Sequence, residues 1–388
     1  MKKILMLNYE YPPLWWWAWV CTQYQSELLA KLGYKVMVIT TWFEWEKEYE
    51  QKENLEIFRL KSLRKYKHKS GMLEKLDWVF QTKKFLKTFL EWKKIDLVFG
   101  NFTILWWEVG YFLKKNYSIP YIILSHWHDI PWFFKKQMFL YHIITYFWIK
   151  KVCKYADKIV LLTKDMKKNA DNFLPNHMGK NIIIPNGCEI NLFTPNNDTK
   201  SKIFNIIFVG RLVEQKDPMT FLKSIKLLKD NYNFDFSVDI LWDGPLKNQM
   251  EEFVFTNNLQ KNITFHGWVS KVEMLKYYQS SNLQVISSFA EAMSIATLES
   301  LSTGQYILST PVSGNVDIIE KDINGDFFDY GNAQDLSEKI YDYYENKFQK
   351  SYTIDEKYLE NFRKKYSWEE IVKVYDDLIV KLTWDETK

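Results

Sequence analysis

At 388 residues, with 47% hydrophobic and 26% charged residues, the chain is long for one core and reads as a globular protein of two ordinary domains. Fibrous, disulfide-rich and extensively disordered classes are excluded. The net charge of +4 hides an asymmetry: residues 1–185 hold 30 Lys and Arg against 17 Asp and Glu, a surplus of 13, and the remainder holds 22 against 31, a deficit of 9. The first half therefore suits anionic surfaces or acceptors, and with no nucleic-acid motif beside the charge, nucleic acid is not expected as a partner.

In chain order, strand and helix alternate. Residues 3–8 read as a strand, 23–32 as a helix and 35–40 as a second strand, with further strands at 95–100, 121–125 and 158–162 and helices between them. That alternation predicts a parallel, doubly wound sheet. Residues 182–187 close a first domain at 1–187, Asn186-Gly187 being a turn. A second series opens at 205–209 and continues at 236–241, 263–265, 283–286 and 306–309, forming a domain over 200–365. Two such domains in series form a cleft between their strand ends.

Met1-Lys-Lys runs straight into an apolar stretch too short for a signal-peptide core. The longest apolar run, 138–149, is broken by Tyr and His and falls short of the ~20 residues of a membrane span. Cys21, Cys153 and Cys188 show no metal-ligand spacing and read as reduced thiols. A cytoplasmic protein is expected. The basic stretch 59–69, followed by a helix over 73–94 with Leu76, Phe80, Phe85, Leu86 and Leu90, leaves two readings open. It could hold the protein on the inner membrane face at ~1 kcal/mol per cation, or be a solvated loop beside a helix packed in its own domain.

The most informative stretch is Ser287-Ser-Phe-Ala-Glu-Ala-Met-Ser-Ile-Ala-Thr-Leu-Glu299. It follows a short buried strand, and Ile295, Leu298 and Leu301 at helical spacing start a helix with Ser294 as its N-cap. Glu291 then lies in a loop at the carboxyl end of a strand, where open α/β sheets bind ligands, and Glu299 about two turns on. A helix N-terminus there suits a phosphate and carboxylates suit sugar hydroxyls. From spacing alone, two Glu on a helix read first as a solvated face.

These residues carry a family resemblance over nearly the whole chain. Asn8-Tyr-Glu-Tyr-Pro-Pro13, Ile184-Pro-Asn-Gly187, Phe208-Val-Gly-Arg-Leu-Val-Glu-Gln-Lys216, Asp243-Gly-Pro245, Phe265-His-Gly-Trp-Val269, the Glu291/Glu299 pair and Tyr366-Ser-Trp368 stand in the order and spacing of a family 4 glycosyltransferase. The chain resembles that family, whose GT-B fold has two doubly wound Rossmann-like domains facing across a cleft, with a last helix, here 367–384, packed back on the first domain. The resemblance implies transfer of a sugar from a nucleotide-sugar donor, such as a UDP- or GDP-sugar, to a hydroxyl of a glycan or lipid-linked acceptor, with retention.

By the same resemblance, Arg211 and Lys216, after Gly210, neutralise the donor diphosphate. Glu299 takes the ribose hydroxyls, Glu291 holds the donor sugar, and the backbone of Met293 and Ser294 faces sugar and phosphate. Trp268 and Val269 border the base. His126, in Ser125-His-Trp-His-Asp129, sits near the transferred sugar and shares the catalytic assignment with Glu291. No Asp-x-Asp stands at a strand end, so neither metal nor further cofactor is expected.

One departure is patterned. Where the family carries a glycine-rich loop after Pro12-Pro13-Leu14, this chain reads Trp15-Trp-Trp-Ala-Trp19, and tryptophan or alanine replaces glycine at 106, 107, 127, 132, 242 and 292. The chain has 17 Trp and 13 Gly, whereas glycine averages about 7% of residues. Tryptophan is large and disfavours positive φ. Filled loops predict an impaired glycosyltransferase; the alternative is a non-catalytic protein on the same scaffold that binds sugars or a membrane surface.

Overall fold

The computed structural model describes residues 1–12, 18–66, 70–101, 104–127, 129–133 and 139–384; at 18, 19, 104–106, 197 and 384 this holds for the backbone alone. The chain forms two compact units, Met1–Asn186 with the helix Trp368–Trp384, and Gly187–Ser367.

Among the described residues the first unit holds β1 (Lys3–Leu7), β2 (Lys35–Thr41), β3 (Tyr49–Lys52), β4 (Leu55–Leu60), β5 (Leu97–Asn101), β6 (Tyr121–Leu124), β7 (Lys158–Leu161) and β8 (Asn181–Ile183), in the sheet order β3-β4-β2-β1-β5-β6-β7-β8. All neighbours pair in parallel except β3 with β4. Ile4, Leu5, Met6 and Leu7 are all fully buried, because helices cover both faces of a parallel sheet and leave no solvent side to alternate toward. The order reverses between β1 and β5, so the loops after β1, β5 and β6 share one edge around a topological switch point.

The second unit holds β9 (Phe204–Val209), β10 (Phe236–Leu241), β11 (Ile263–Gly267), β12 (Leu283–Ile286), β13 (Tyr306–Ser309) and β14 (Gly325–Phe327), all parallel in the order β11-β10-β9-β12-β13-β14. Its switch point lies between β9 and β12. Phe204, Phe208, Phe221, Leu283 and Leu336 belong to the core on one face, and Phe193, Ile207 and Tyr278 to that on the other.

The last helix belongs to the first unit. Trp368 stacks on Tyr24 with ring centroids 5.2 Å apart, Tyr375 meets Phe99 at 5.9 Å, and the Tyr34 hydroxyl donates to Asp376.

Two sequence expectations need correction. The stretch 59–69 is a solvated basic segment only in part: Lys61 and Lys65 are exposed, but Arg59 and Arg64 are not. Arg59 lies on β4, 4% exposed, with Nε 3.3 Å from Glu46 and a guanidinium nitrogen 3.4 Å from Glu50. Arg64 is buried against Glu10 and over the Tyr9 ring, 4.9 Å from its centroid. Both cations are neutralised inside the domain; Lys67, His68 and Lys69 lie outside the described residues. The Arg59 environment exists because a β3–β4 hairpin, invisible in the polar stretch Tyr49–Lys52, brings Glu50 beside it. Second, Trp106 and Trp107 lie on the helix Ile104–Tyr117 rather than in a loop.

The apolar run at 138–149 becomes the helix Phe139–Tyr155, with Met138 outside the described residues. Ile149, Val152 and Cys153 face inward, while Leu140, Ile144 and Phe147 are 74%, 83% and 83% exposed. Among the described residues no helix is long and apolar enough to cross a membrane.

Candidate functional site

The loop after β9 begins at Gly210, whose φ of +150° is a conformation that side-chain-bearing residues rarely adopt. Arg211, half-buried, follows. Leu212 is buried, its N–H donating to Asp243 O (3.1 Å) and its carbonyl accepting from Leu246 N (3.0 Å). These bonds lace the loop after β9 to the loop after β10. The approach is so close that a Cβ on Gly244 would fall 2.4 Å from Leu212 O. Asp217 then caps the helix Pro218–Asn231 by accepting from Thr220 N at 3.2 Å.

After β12, the loop 287–294 is bound to the loop after β9. Ser287 Oγ donates to the carbonyls of Lys216 and Asp217, each at 2.8 Å. Phe289 N donates to Gln215 O (3.0 Å), and Gln215 Nε2 to Ala290 O (2.8 Å). Within this lattice Lys216 Nζ forms an ion pair with Glu291 Oε1, and Ser288 Oγ donates to the same oxygen at 2.7 Å. The two loops flanking the switch point are thus one polar assembly.

The helix Ile295–Ser302 follows. Ser294 occupies its N-cap position, but its side chain makes no capping hydrogen bond. Met293 is buried and Ser294 half-buried. Glu299 is 3% exposed, and its carboxyl makes no hydrogen bond among the described residues. Burial, first of all, pushes its pKa up to about 8; Lys271 opposes that rise and Glu189 adds to it.

At the neighbouring strand ends, β11 finishes at Gly267 (φ +68°), which accepts from Trp242 N at 2.6 Å. Trp268 is half-exposed, its ring 6.3 Å from that of Trp242, and Val269 is buried. Gly210, Arg211, Lys216, Glu291, Met293, Ser294, Trp268 and Val269 therefore all lie at the carboxyl edge of the second sheet, with Glu299 on the helix leaving it. Sequence reasoning missed Ser287 and Ser288, whose only signal was a hydroxyl pair at a strand end. It also missed Gly314, where a Cβ would fall 2.0 Å from Ala292 O. A surface depression of about 700 Å³ bordered by Lys200, Asn282, Tyr306 and Arg363 lies at the opposite edge, by the starts of β12 and β13, away from these residues.

In the first unit, His126 follows β6. Its N–H donates to Asp129 Oδ2 (2.9 Å), and its Nε2 lies 3.5 Å from Asn101 Oδ1, at the end of β5. It is 6% exposed, and burial pushes its pKa down to about 3, so the ring is neutral at ordinary pH. His128 lies outside the described residues, as do Trp15, Trp16 and Trp17 and the side chains of Trp19 and Trp106. Trp107 is fully buried, its Nε1 without a partner among the described residues. Trp127 is half-buried, and Ala292 is buried. Trp132 and Trp242 hold φ of +73° and +103°. Among the described residues no cluster of three His, Cys, Asp or Glu is arranged to hold a metal.

Comparison with known proteins matches residues 18–192 to the family model "Glycosyltransferase Family 4" and residues 191–365 to "Glycosyl transferases group 1". An uncharacterized glycosyltransferase of Methanocaldococcus jannaschii is 27% identical over 385 residues, covering 97% of this chain and 99% of the relative. Sucrose-phosphate synthase from Thermosynechococcus elongatus superimposes with a TM-score of 0.83 at 16% identity, over 98% of this chain and 99% of that one. Anabaena HepE in complex with UDP and glucose does so with a TM-score of 0.73 at 16% identity, over 98% and 100%.

Proposed function

The chain belongs to glycosyltransferase family 4 and has the GT-B fold, and on that premise we propose that it transfers a sugar from a nucleotide-sugar donor to a hydroxyl of a glycan or lipid-linked acceptor, with retention. The observation that carries this reading is the joined pair of loops at the β9/β12 switch point, where Lys216 meets Glu291 and from which the helix bearing the buried Glu299 leaves. In this reading Arg211 and Lys216 neutralise the diphosphate as it leaves. Glu299 accepts the ribose hydroxyls, which would satisfy its unbonded carboxyl. Glu291 holds the donor sugar, the Met293–Ser294 backbone contacts sugar and phosphate, and Trp268 and Val269 border the base. His126, neutral, shares the catalytic role with Glu291. The Anabaena neighbour holds UDP, which makes a UDP-sugar the first donor to test.

The activity of the chain carrying Trp132 and Trp242 is impaired in this proposal. Trp242 puts an indole on strained backbone at the end of β10, its ring 6.3 Å from that of Trp268, which in this reading borders the base. Thermal-shift titration with UDP, GDP, ADP and their sugars tests the site. One nucleotide is expected to stabilise the protein, by ~2.7 kcal/mol at a hundredfold excess over Kd. A cooperatively melting protein that shifts with none would reject donor binding.

A second reading, a non-catalytic binder of sugars or of a membrane surface, is favoured by the exposed Leu140, Ile143, Ile144 and Phe147, followed on the same helix by the exposed Lys150, Lys151 and Lys154. Such a face suits an anionic bilayer on the cytoplasmic side. It is equally compatible with an enzyme that meets a lipid-linked acceptor there; hydrolysis or transfer lost in Glu291→Ala would reject the non-catalytic form.

A further inference from the structure

Tryptophan outnumbers glycine in this chain, 17 to 13, and the described tryptophans include two contrasting sets. Trp42, Trp78, Trp148 and Trp368 sit as tryptophans do. Trp42 Nε1 donates to Glu46 O at 2.7 Å and Trp148 Nε1 to Glu108 Oε2 at 2.8 Å. Trp78, fully buried, meets Tyr9 edge-on at 6.0 Å, and Trp368 stacks on Tyr24 at 5.2 Å with planes 15° apart. The backbone at none of the four is in the positive-φ region, and each side chain uses its ring area or its single donor.

Trp132 and Trp242 sit as glycines do. Their φ values, +73° and +103°, lie where a Cβ meets its own backbone. Every other non-glycine residue with positive φ among the described residues is Glu, Ser, Asp or Asn; these two are the bulkiest side chains in the set. The value at Trp242 lies beyond the left-handed helical well that Asn and Asp tolerate. It is held in place, because Trp242 N donates to Gly267 O at 2.6 Å while Gly210 N donates to the adjacent Leu241 O. The chain cannot relax there without losing the bridge between the ends of β10 and β11.

The rings of Trp132 and Trp242 find neighbours, Phe139 at 5.6 Å and Trp268 at 6.3 Å, so the contrast lies in the backbone: selection for packing does not put the largest side chain twice on backbone that only glycine takes without strain, while placing the same residue type on unstrained backbone elsewhere. Misplacement confined to one exchange, glycine by tryptophan, points to the codon. We infer that positions 132 and 242 are glycine in the protein as its own cells make it, because two codons of this gene correspond to tryptophan in this chain and those cells decode one of them as glycine. Trp42, Trp78, Trp148 and Trp368 come from the other codon and are tryptophan. The inference rests on backbone conformation alone, so it stands or falls apart from the donor site. If it holds, the impairment described above applies only to the chain carrying tryptophan.

The test has two arms. The gene is read at these six positions, and peptides of the protein isolated from its own cells are sequenced by tandem mass spectrometry. One codon at 132 and 242, a different one at 42, 78, 148 and 368, and native peptides lighter by one indolylmethyl group at the first two positions are expected. A codon shared by both sets, or tryptophan in the native peptides at 132 or 242, overturns the inference. In the second arm Trp242→Gly, Trp242→Ala and Trp78→Gly are compared in the tryptophan chain. Trp242→Gly is expected to melt about 2–4 °C above Trp242→Ala, because both lose the indole and only glycine relieves the strain, and Trp78→Gly to melt lowest. Trp242→Gly melting at or below Trp242→Ala would remove the conformational ground of the inference. Nucleotide binding is not the readout in either arm, so failure of the donor proposal does not mimic failure here.

Discussion

Lys216 and Glu291, 75 positions apart, form an ion pair whose carboxylate oxygen also accepts from Ser288 Oγ. The side chains are 17% and 5% exposed, so each charge is largely removed from water and depends on the other. Parallel pairing of β9 with β12 brings the two loops together. A donor diphosphate binding Lys216 would compete with Glu291 for the same ammonium, which predicts donor affinity that falls with added salt.

Removing one partner should leave an uncompensated charge. Lys216→Met is expected to cost about 3 kcal/mol, the low end for breaking a buried pair because the lysine keeps some water contact. Lys216→Met with Glu291→Gln should recover most of that loss. Urea unfolding of the single and double variants checks this; an additive double variant would show that the pair does not couple.

Glu299 makes stability fall with rising pH. Its folded-state pKa of about 8 lies above its ordinary value of 4.5, so the folded protein holds a proton that the unfolded chain has lost. The stabilisation is fully present below pH 4.5 and is lost as pH rises through about 8, a change of several kcal/mol. Glu299→Gln should flatten that window and exceed the parent in stability above pH 8. If ribose hydroxyls donate to the ionised carboxylate, donor binding should tighten between pH 6 and pH 8.5 in the parent and not in Glu299→Gln, as read by calorimetric titration.

His126 works in the opposite direction. Burial holds its pKa at about 3, below the ordinary 6.5, so the unfolded chain takes up a proton that the folded one refuses. Stability should therefore rise as pH climbs from about 3 to 6.5. His126→Gln is expected to reduce that slope by about one proton, as measured by denaturation across the window. An unchanged slope would mean that the ring is protonated in the folded protein.

Gly244 marks the crossing of the loops after β9 and β10. A Cβ there would meet Leu212 O at 2.4 Å and Leu212 N at 2.7 Å, both backbone atoms, so the loops must separate. Gly244→Ala is expected to cost about 1–3 kcal/mol and to weaken nucleotide binding. Thermal melting with and without UDP reads both, and an unaffected variant would show that the crossing yields freely.

The helix Phe139–Tyr155 exposes an apolar face followed by lysines. Ile144→Ser with Phe147→Ser should abolish sedimentation with vesicles containing anionic lipid and leave the melting temperature within a degree or two, because both side chains lie outside the core. Equal sedimentation of parent and variant would dismiss the membrane reading.

The fold is legible in the chain: buried runs such as Ile4–Leu7 and Ile206–Val209, spaced by helical periods, are local patterns that allow a doubly wound sheet and little else. Motif order carries the family resemblance, and Gly210, Lys216, Glu291 and Glu299 stand out from their places in those motifs. The remaining features depend on strands distant in the chain. Periodicity cannot tell that Arg59 and Arg64 turn inward to Glu46, Glu50 and Glu10, because their partners come from a polar hairpin and from the loop after β1. Nor can it separate Trp107, buried on a helix, from Trp242, strained on positive φ; side-chain type is written in the chain, but backbone conformation at a turn is set by the carbonyls that hold it. The Lys216–Glu291 pair and the unbonded carboxyl of Glu299 belong to the same class. Each exists because parallel pairing gathers loops from separate strands at one edge, where charges far apart in sequence must either meet or be buried alone.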